Sequence, residues 1–140
     1  YEQLFWACKT LGLENQVTFR GSLAQQEVLR QMKESDLLVH PSLSEGTPNV
    51  VLEALYLKLP CIVANWPGAD EIIRHQWNGW IVKKRSPEAI ANQIEAFLYF
   101  SAIEKEKITA NGSITIQETF NAQSQGAAFQ RLLADALPGS

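Results

Sequence analysis

Four short apolar or β-branched runs punctuate this chain: Val17-Thr18-Phe19-Arg20, Asp36-Leu37-Leu38-Val39-His40, Cys61-Ile62-Val63-Ala64 and Gly79-Trp80-Ile81-Val82. Amphipathic stretches separate them, and strands that alternate with helices pair in parallel, because a parallel neighbour is reached only by a crossover. Helices are predicted over 1–11, 25–34, 48–57 and near 68–75. Another starts at Ser86-Pro87-Glu88, where Ser caps and Pro takes the first turn. Residues 103–137 read as helical throughout, with breaks near Gly112 and Asn121. The fold class is therefore α/β, a Rossmann-like parallel sheet with flanking helices. At 140 residues and 46% hydrophobic, the chain can bury one core, so residues 1–140 are read as one domain. Tyr1 opens directly into a helical pattern, Leu4, Phe5, Ala7, Cys8 and Leu11, so an upstream portion is expected.

In such sheets ligands collect beyond the carboxyl ends of the strands. Gly21-Ser22, Pro41 to Asn49, Asn65 to Gly68 and Lys83-Lys84 all follow strands. The second of these loops is the richest in chemistry. Thr47 is the expected N-cap and Pro48 the expected first helical residue, so the amides of Asn49 and Val50 head a helix whose dipole favours an anion such as phosphate. Glu53 lies one turn further in, about 6 Å along the axis. Glu45 stays in the loop on the other side of the phosphate position. Both carboxylates can accept hydrogen bonds from hydroxyl groups. As a glycosidase pair they would need one raised pKa, and nothing apolar around them in sequence was expected to raise it.

Plainer readings stand beside these. Glu45 is also readable as a solvated loop acid and Glu53 as a helix-surface acid, while Thr47 and Asn49 could do no more than fill the turn. Gly21 and Gly68 permit close backbone approach to a ligand or serve simply as turn glycines. His40 ends a strand at the ligand edge as a hydrogen-bonder or a base. Trp66 could stack on a base or an acceptor sugar, whereas Trp77 and Trp80 read as packing residues and His75 as a surface residue.

The net charge of -3 and pI near 5.4, with cations scattered rather than clustered, argue against nucleic acid. No apolar run reaches the roughly 20 residues of a membrane span, so the chain reads as soluble and cytoplasmic. Cys8 and Cys61 have no metal-ligand spacing and are expected to be reduced, buried thiols.

One pattern runs through Val17-x-Phe-x-Gly21, Ser35-Asp-Leu-Leu-Val-His-Pro-Ser42, Glu45-Gly-Thr-Pro-Asn-Val-Val-Leu-Glu53-Ala54, Leu59-Pro-Cys-Ile-Val-Ala64, Gly68-x-x-Glu71 and Asn78-Gly79. It resembles the C-terminal nucleotide-sugar-binding domain of retaining GT-B glycosyltransferases of the GT4 family. The specific element is the Glu, seven residues, Glu spacing after Pro-Ser, with the flanking motifs in order.

The resemblance implies that Glu45, the catalytic-site residue, contacts sugar hydroxyls near the anomeric carbon, and that Glu53 accepts hydrogen bonds from ribose hydroxyls. Gly46, Thr47, Pro48, Asn49 and Val50 would hold the sugar and diphosphate through their available amides. The backbone at Phe19, Arg20 and Gly21 would meet the base, and Gly68 would line the phosphate side. It implies glycosyl transfer from a nucleotide-diphosphate sugar, a UDP-sugar first, with no metal and no cofactor besides the donor. A non-catalytic interaction module using Trp77, Trp80 and Phe97-Leu98-Tyr99-Phe100, and a GT-B nucleotide-sugar epimerase, are the alternatives.

The sheet so implied is incomplete. The family's domain begins with two further strands, absent here, that lie between the strand at 17–20 and the strand at 36–40. The flanking strands are expected to close up, to recruit another copy of the chain, or to pair with a separately supplied N-terminal acceptor half, which could also place the assembly at the inner face of the membrane. Lys58 stands where the family has a helix-ending Gly, implying a local penalty of about 1 kcal/mol if its φ is positive.

Overall fold

A computed structural model describes residues 2–44, 48–83 and 85–121. Its helices are α1 (Glu2–Thr10), α2 (Gln25–Lys33), α3 (Asn49–Tyr56), α4 (Ala69–Ile72), α5 (Pro87–Leu98) and α6 (Ala102–Asn121). The strands are β1 (Leu38–His40), β2 (Cys61–Ala64) and β3 (Trp80–Val82). They form a parallel sheet in the order β1-β2-β3, with Val39 opposite Ile62 and Val63 opposite Ile81.

The middle strand explains the two-layered core. All four residues of β2 are buried, and their side chains alternate between faces. Cys61 and Val63 join Leu29 and Met32 of α2, Val51 and Leu55 of α3, and Ile116 of α6. Ile62 faces the other way, onto Trp80, Val82, Phe97 and Ile108. A strand covered on both sides must be apolar at every position, which is why this run shows no polar alternation.

Local signals set the helix ends. Ser86 Oγ accepts from the amide of Ala89 at 3.2 Å, and Pro87 occupies the first turn of α5 as expected. At the other end of α3, the Leu59 amide donates to the Ala54 carbonyl at 2.8 Å and the Lys58 amide to that of Leu55 at 3.2 Å. This is a Schellman closure, and it forces Lys58 to a φ of 58°. The expected left-handed lysine is therefore present.

Three expectations are corrected. Residues 17–20 belong to no strand of the sheet, and the flanking strands have not closed up. A strand exists only through its ladder, and no strand of the sheet pairs with these residues. The helix does not break near Gly112, since α6 is continuous to Asn121. A Cβ on Gly112 would lie 2.9 Å from Leu55 Cδ2, so this glycine reflects close approach of α6 to α3. The expected helix beyond residue 121 and the break just past Asn121 lie outside the described residues. Finally, Cys8 is only half-buried, because α1 buries none of its residues. Cys61 is fully buried, and burial pushes its thiol up to about 12, which leaves it unreactive.

α1 is thus a helix with Leu4, Phe5 and Trp6 at least half exposed. The outer edge of β1 is equally open. Leu38 takes the bond to β2 by donating to Pro60, so the intervening Val39 turns its N–H and C=O away from the sheet. No described helix is long and apolar enough to cross a membrane.

Because Lys58 is exposed and left-handed, its replacement removes strain without removing packing. Lys58→Gly is expected to stabilise the fold by about 1 kcal/mol, a rise of roughly 3 to 5 °C in Tm. An unchanged or lowered Tm by calorimetry would refute this.

Candidate functional site

Three parallel strands place His40, Ala64 and Val82 at one edge, and the loop leaving β1 there leads into α3. Glu45, Gly46 and Thr47 lie outside the described residues, so the sugar-contacting acid, the two loop positions beside it and the threonine cap are not located. Beyond them the helix starts one residue later than expected. Buried Pro48 is the N-cap, and Asn49 is the first helical residue. The Pro48 carbonyl accepts from the amides of Val51 at 3.0 Å and Leu52 at 3.3 Å. Pro48 itself has no N–H, and the amides of Asn49 and Val50 take no hydrogen-bond partner among the described residues. They are the donors that the dipole argument assigned to an anion.

Glu53 sits one turn along α3 and is only 4% exposed. That rules out a helix-surface acid. Its partner is the side-chain amide of Gln25, whose Nε2 donates to Glu53 Oε1 at 2.6 Å. Among the described residues no cation pairs with it, and the ion pairs join Arg30 to Glu27 and Glu34. Burial pushes the Glu53 carboxyl pKa above its ordinary 4.5, and the Gln25 bond opposes the shift. The expectation that nothing would raise a carboxyl here is thus corrected. The apolar neighbours responsible are those of the fold, on α3 and the elements it packs against.

Gln25 was not singled out from sequence. It is an exposed polar residue at the start of a helix, 28 positions from its partner, and no spacing signals the bond. The bond nonetheless draws the expected base-side loop toward the acid, since Phe19, Arg20 and Gly21 run directly into α2. Phe19 is half-buried and Arg20 exposed. Gly21 has a φ of 65°, with open space where a side chain would stand.

Gly68 adopts a φ of 89° before α4, which only glycine takes without strain. With Asn65, Trp66, Pro67, Asp70, His75 and Ile81 it lines an open cleft of about 610 Å³. Trp66 offers no stacking face. It is 1% exposed and sits edge-on to His40, with ring centroids 5.5 Å apart. Trp80 is buried against Phe97 and Phe100, as a packing residue should be, and Trp77 is half-buried with Arg74 over its ring. His75 is exposed, and its Nδ1 accepts from the Ile81 amide.

Asn78 and Gly79 prove structural. Buried Asn78 accepts from the Arg74 amide at 2.8 Å and donates to the Ile72 carbonyl and Thr115 Oγ1. A Cβ on Gly79 would meet the Cys61 carbonyl at 3.0 Å. The pair pins the turn before β3 to α6 and β2.

With this geometry in view, the family model for glycosyl transferases group 1 matches residues 1–135. The chain belongs to that family. It is 29% identical over 135 residues to a GDP-mannose-dependent alpha-(1-6)-phosphatidylinositol monomannoside mannosyltransferase of Mycobacterium tuberculosis, covering 91% of this chain and 34% of that protein. Its fold matches the crystal structure of Anabaena Alr3699/HepE in complex with UDP and glucose, at TM-score 0.81 and 25% identity, covering 96% of this chain and 36% of the other. It also matches the C-terminal domain of the group 1 glycosyltransferase LpcC from Francisella tularensis, at TM-score 0.76 and 27% identity, over 87% of this chain and 63% of that domain structure. The α/β arrangement is that of a Rossmann-like GT-B domain. The chain spans about a third or less of the length of the curated relatives it matches.

The buried acid carries a stability consequence. Because the folded carboxyl holds its proton to higher pH than the unfolded one, stability falls as pH rises from 4.5 through the folded pKa. Glu53→Gln keeps the neutral form at every pH. Its Tm should equal the wild-type value at pH 4 and exceed it at pH 8; a gap that does not widen with pH would count against the buried, uncompensated acid.

Proposed function

We propose that this chain is the donor-binding part of a retaining glycosyltransferase of the GT4 type, taking a nucleotide-diphosphate sugar, with a UDP-sugar as first candidate. The observation that carries the reading is a buried carboxylate with no cationic partner among the described residues, one turn from two helix amides that also have none among them, at the carboxyl edge of a parallel sheet. Such a site lacks a partner rich in hydroxyl donors next to an anion. A ribose diphosphate has both.

In this reading Glu53 receives the two vicinal ribose hydroxyls, since an ionised carboxylate accepts both and charge-assisted bonds are roughly twice as strong as neutral ones. The diphosphate lies against the amides of Asn49 and Val50, with those of Gly46 and Thr47 expected alongside, and Gly68 on its flank. The backbone of Phe19, Arg20 and Gly21 meets the base. When the glycosidic bond to the donor breaks, negative charge grows on the β-phosphate, and amides already aimed there favour the transition state over the ground state. Glu45 would offset positive charge on an oxocarbenium-like ring. No metal is required in this scheme.

Relatives named for GDP-mannose and for UDP-Gal leave UDP and GDP as the two bases to try. Calorimetry with each, in a chelator, should give binding of at least one, and Glu53→Ala should weaken it about a hundredfold. Absence of binding for both at millimolar concentration would overturn the proposal. Of the patch that the interaction-module alternative would use, Trp80 and Phe97 are core residues, while Leu98 and Tyr99 are exposed.

We further propose that the open edge of β1 and the bare face of α1 are covered by additional strands and an N-terminal acceptor-binding half rather than by a second copy, in a cytoplasmic protein that reaches the inner membrane face through that half. Amide exchange at Val39 should be fast in the 140-residue chain and slow in a longer polypeptide that includes them. Protection of Val39 in the short chain together with dimers in light scattering would favour the second copy instead.

A further inference from the structure

We infer that Gln25 is a positioning residue for the donor: it holds the Glu53 carboxylate ionised and aimed, and it couples the loop at 19–21 to the ribose site. The inference rests on the nucleotide-sugar reading of Glu53. Its physical basis is a conflict within the site. Clamping two hydroxyls requires the ionised carboxylate, because a protonated one turns an acceptor into a donor. Burial of Glu53 to 4% exposure works against that charge.

The usual remedy, a lysine or arginine, is missing among the described residues. On the elements packed against α3 the titratable side chains are Glu27, Arg30 and Lys33 on α2, His40 on β1, Cys61 on β2, and Glu104, Lys105, Glu106, Lys107 and Glu118 on α6. None of them bonds to Glu53. Gln25 Nε2, at 2.6 Å, is the hydrogen-bond donor that the carboxylate has among the described residues. A neutral amide suits the task better than a cation, since it favours the charged form without drawing the carboxylate into an ion pair that the ribose must break. It also occupies only one of the roughly four acceptor positions of the carboxylate, leaving Oε2 and half of Oε1 for hydroxyls.

Placement adds the second role. Gln25 is the first residue of α2, four positions after Gly21, and its bond crosses to the first turns of α3. The expected base loop and the acid are thereby tied by one side chain, so a nucleotide meeting both finds their separation already set.

The test uses Gln25→Leu, which removes the donor, and Gln25→Glu, which keeps the shape. Gln25 is exposed at a helix start, so both variants should fold, and their Tm checks that. Carbon-13 NMR titration of Glu53 in the 140-residue chain should show its pKa higher in Gln25→Leu than in wild type. UDP and GDP dissociation constants from pH 5.5 to 9 should then be about tenfold weaker in Gln25→Leu at the acid end and converge on wild type at the alkaline end. Gln25→Glu, sharing a proton with Glu53, should show the larger loss. An unmoved Glu53 titration, or a loss independent of pH, overturns the positioning role. Wild-type binding with unaffected variants overturns this inference alone, whereas no nucleotide binding by wild type overturns the donor reading and Gln25's role with it.

Discussion

Everything at the functional edge depends on three strands running the same way. A parallel sheet sends every strand's carboxyl end to one side, and each crossover must then return a helix whose N-terminus starts from that side. α3 is the helix so produced, and its position is fixed from both ends: by the loop leaving β1 and by the Schellman closure that turns it into β2. Lys58 accepts a left-handed backbone to make that closure. Strain at the far end of α3 is thus part of what aims the near end.

The same helix carries the conflict that defines the site. Val51, Leu52, Ala54 and Leu55 are buried because α3 lies between the sheet and α6, and Glu53 sits in that run. A carboxylate there is unfavourable for folding unless something accepts its charge. Among the described residues a single neutral amide does so, and the first two helix amides have no partner there. Folding left to itself favours a neutral side chain at 53. An acid there is a local loss of stability, which the donor-binding reading would explain.

The sequence was most legible where one residue's environment is decided locally or by a whole run. The unbroken apolar stretch of β2 announced a strand covered on both faces, and Ser86-Pro87 announced the start of α5. It was least legible where a residue answers to something distant. Val17 to Arg20 has strand composition, yet strand formation belongs to a pair, and the partners are elsewhere. Gly112 looks like a helix breaker until Leu55 is seen against it. Trp66 follows a strand at the ligand edge, as a stacking residue would, but turns inward onto His40. At the site, Glu53 was found by its spacing and the family pattern, while its burial and its bond to Gln25 are tertiary facts that no local pattern encodes.

Incompleteness follows from the same logic. Among the described residues β1 pairs with β2 alone, α1 presents leucine, phenylalanine and tryptophan to solvent, and 17–20 joins no strand of the sheet. Each is what the proposed absence of a central pair of strands would leave. The core around β2 survives the removal because α2, α3 and α6 close one face and α5 the other without reference to that edge. Gln25 matters more for it. In the donor-binding reading, the hydrogen bond from Gln25 of α2 to Glu53 of α3 would tie the 19–21 segment to the ribose side.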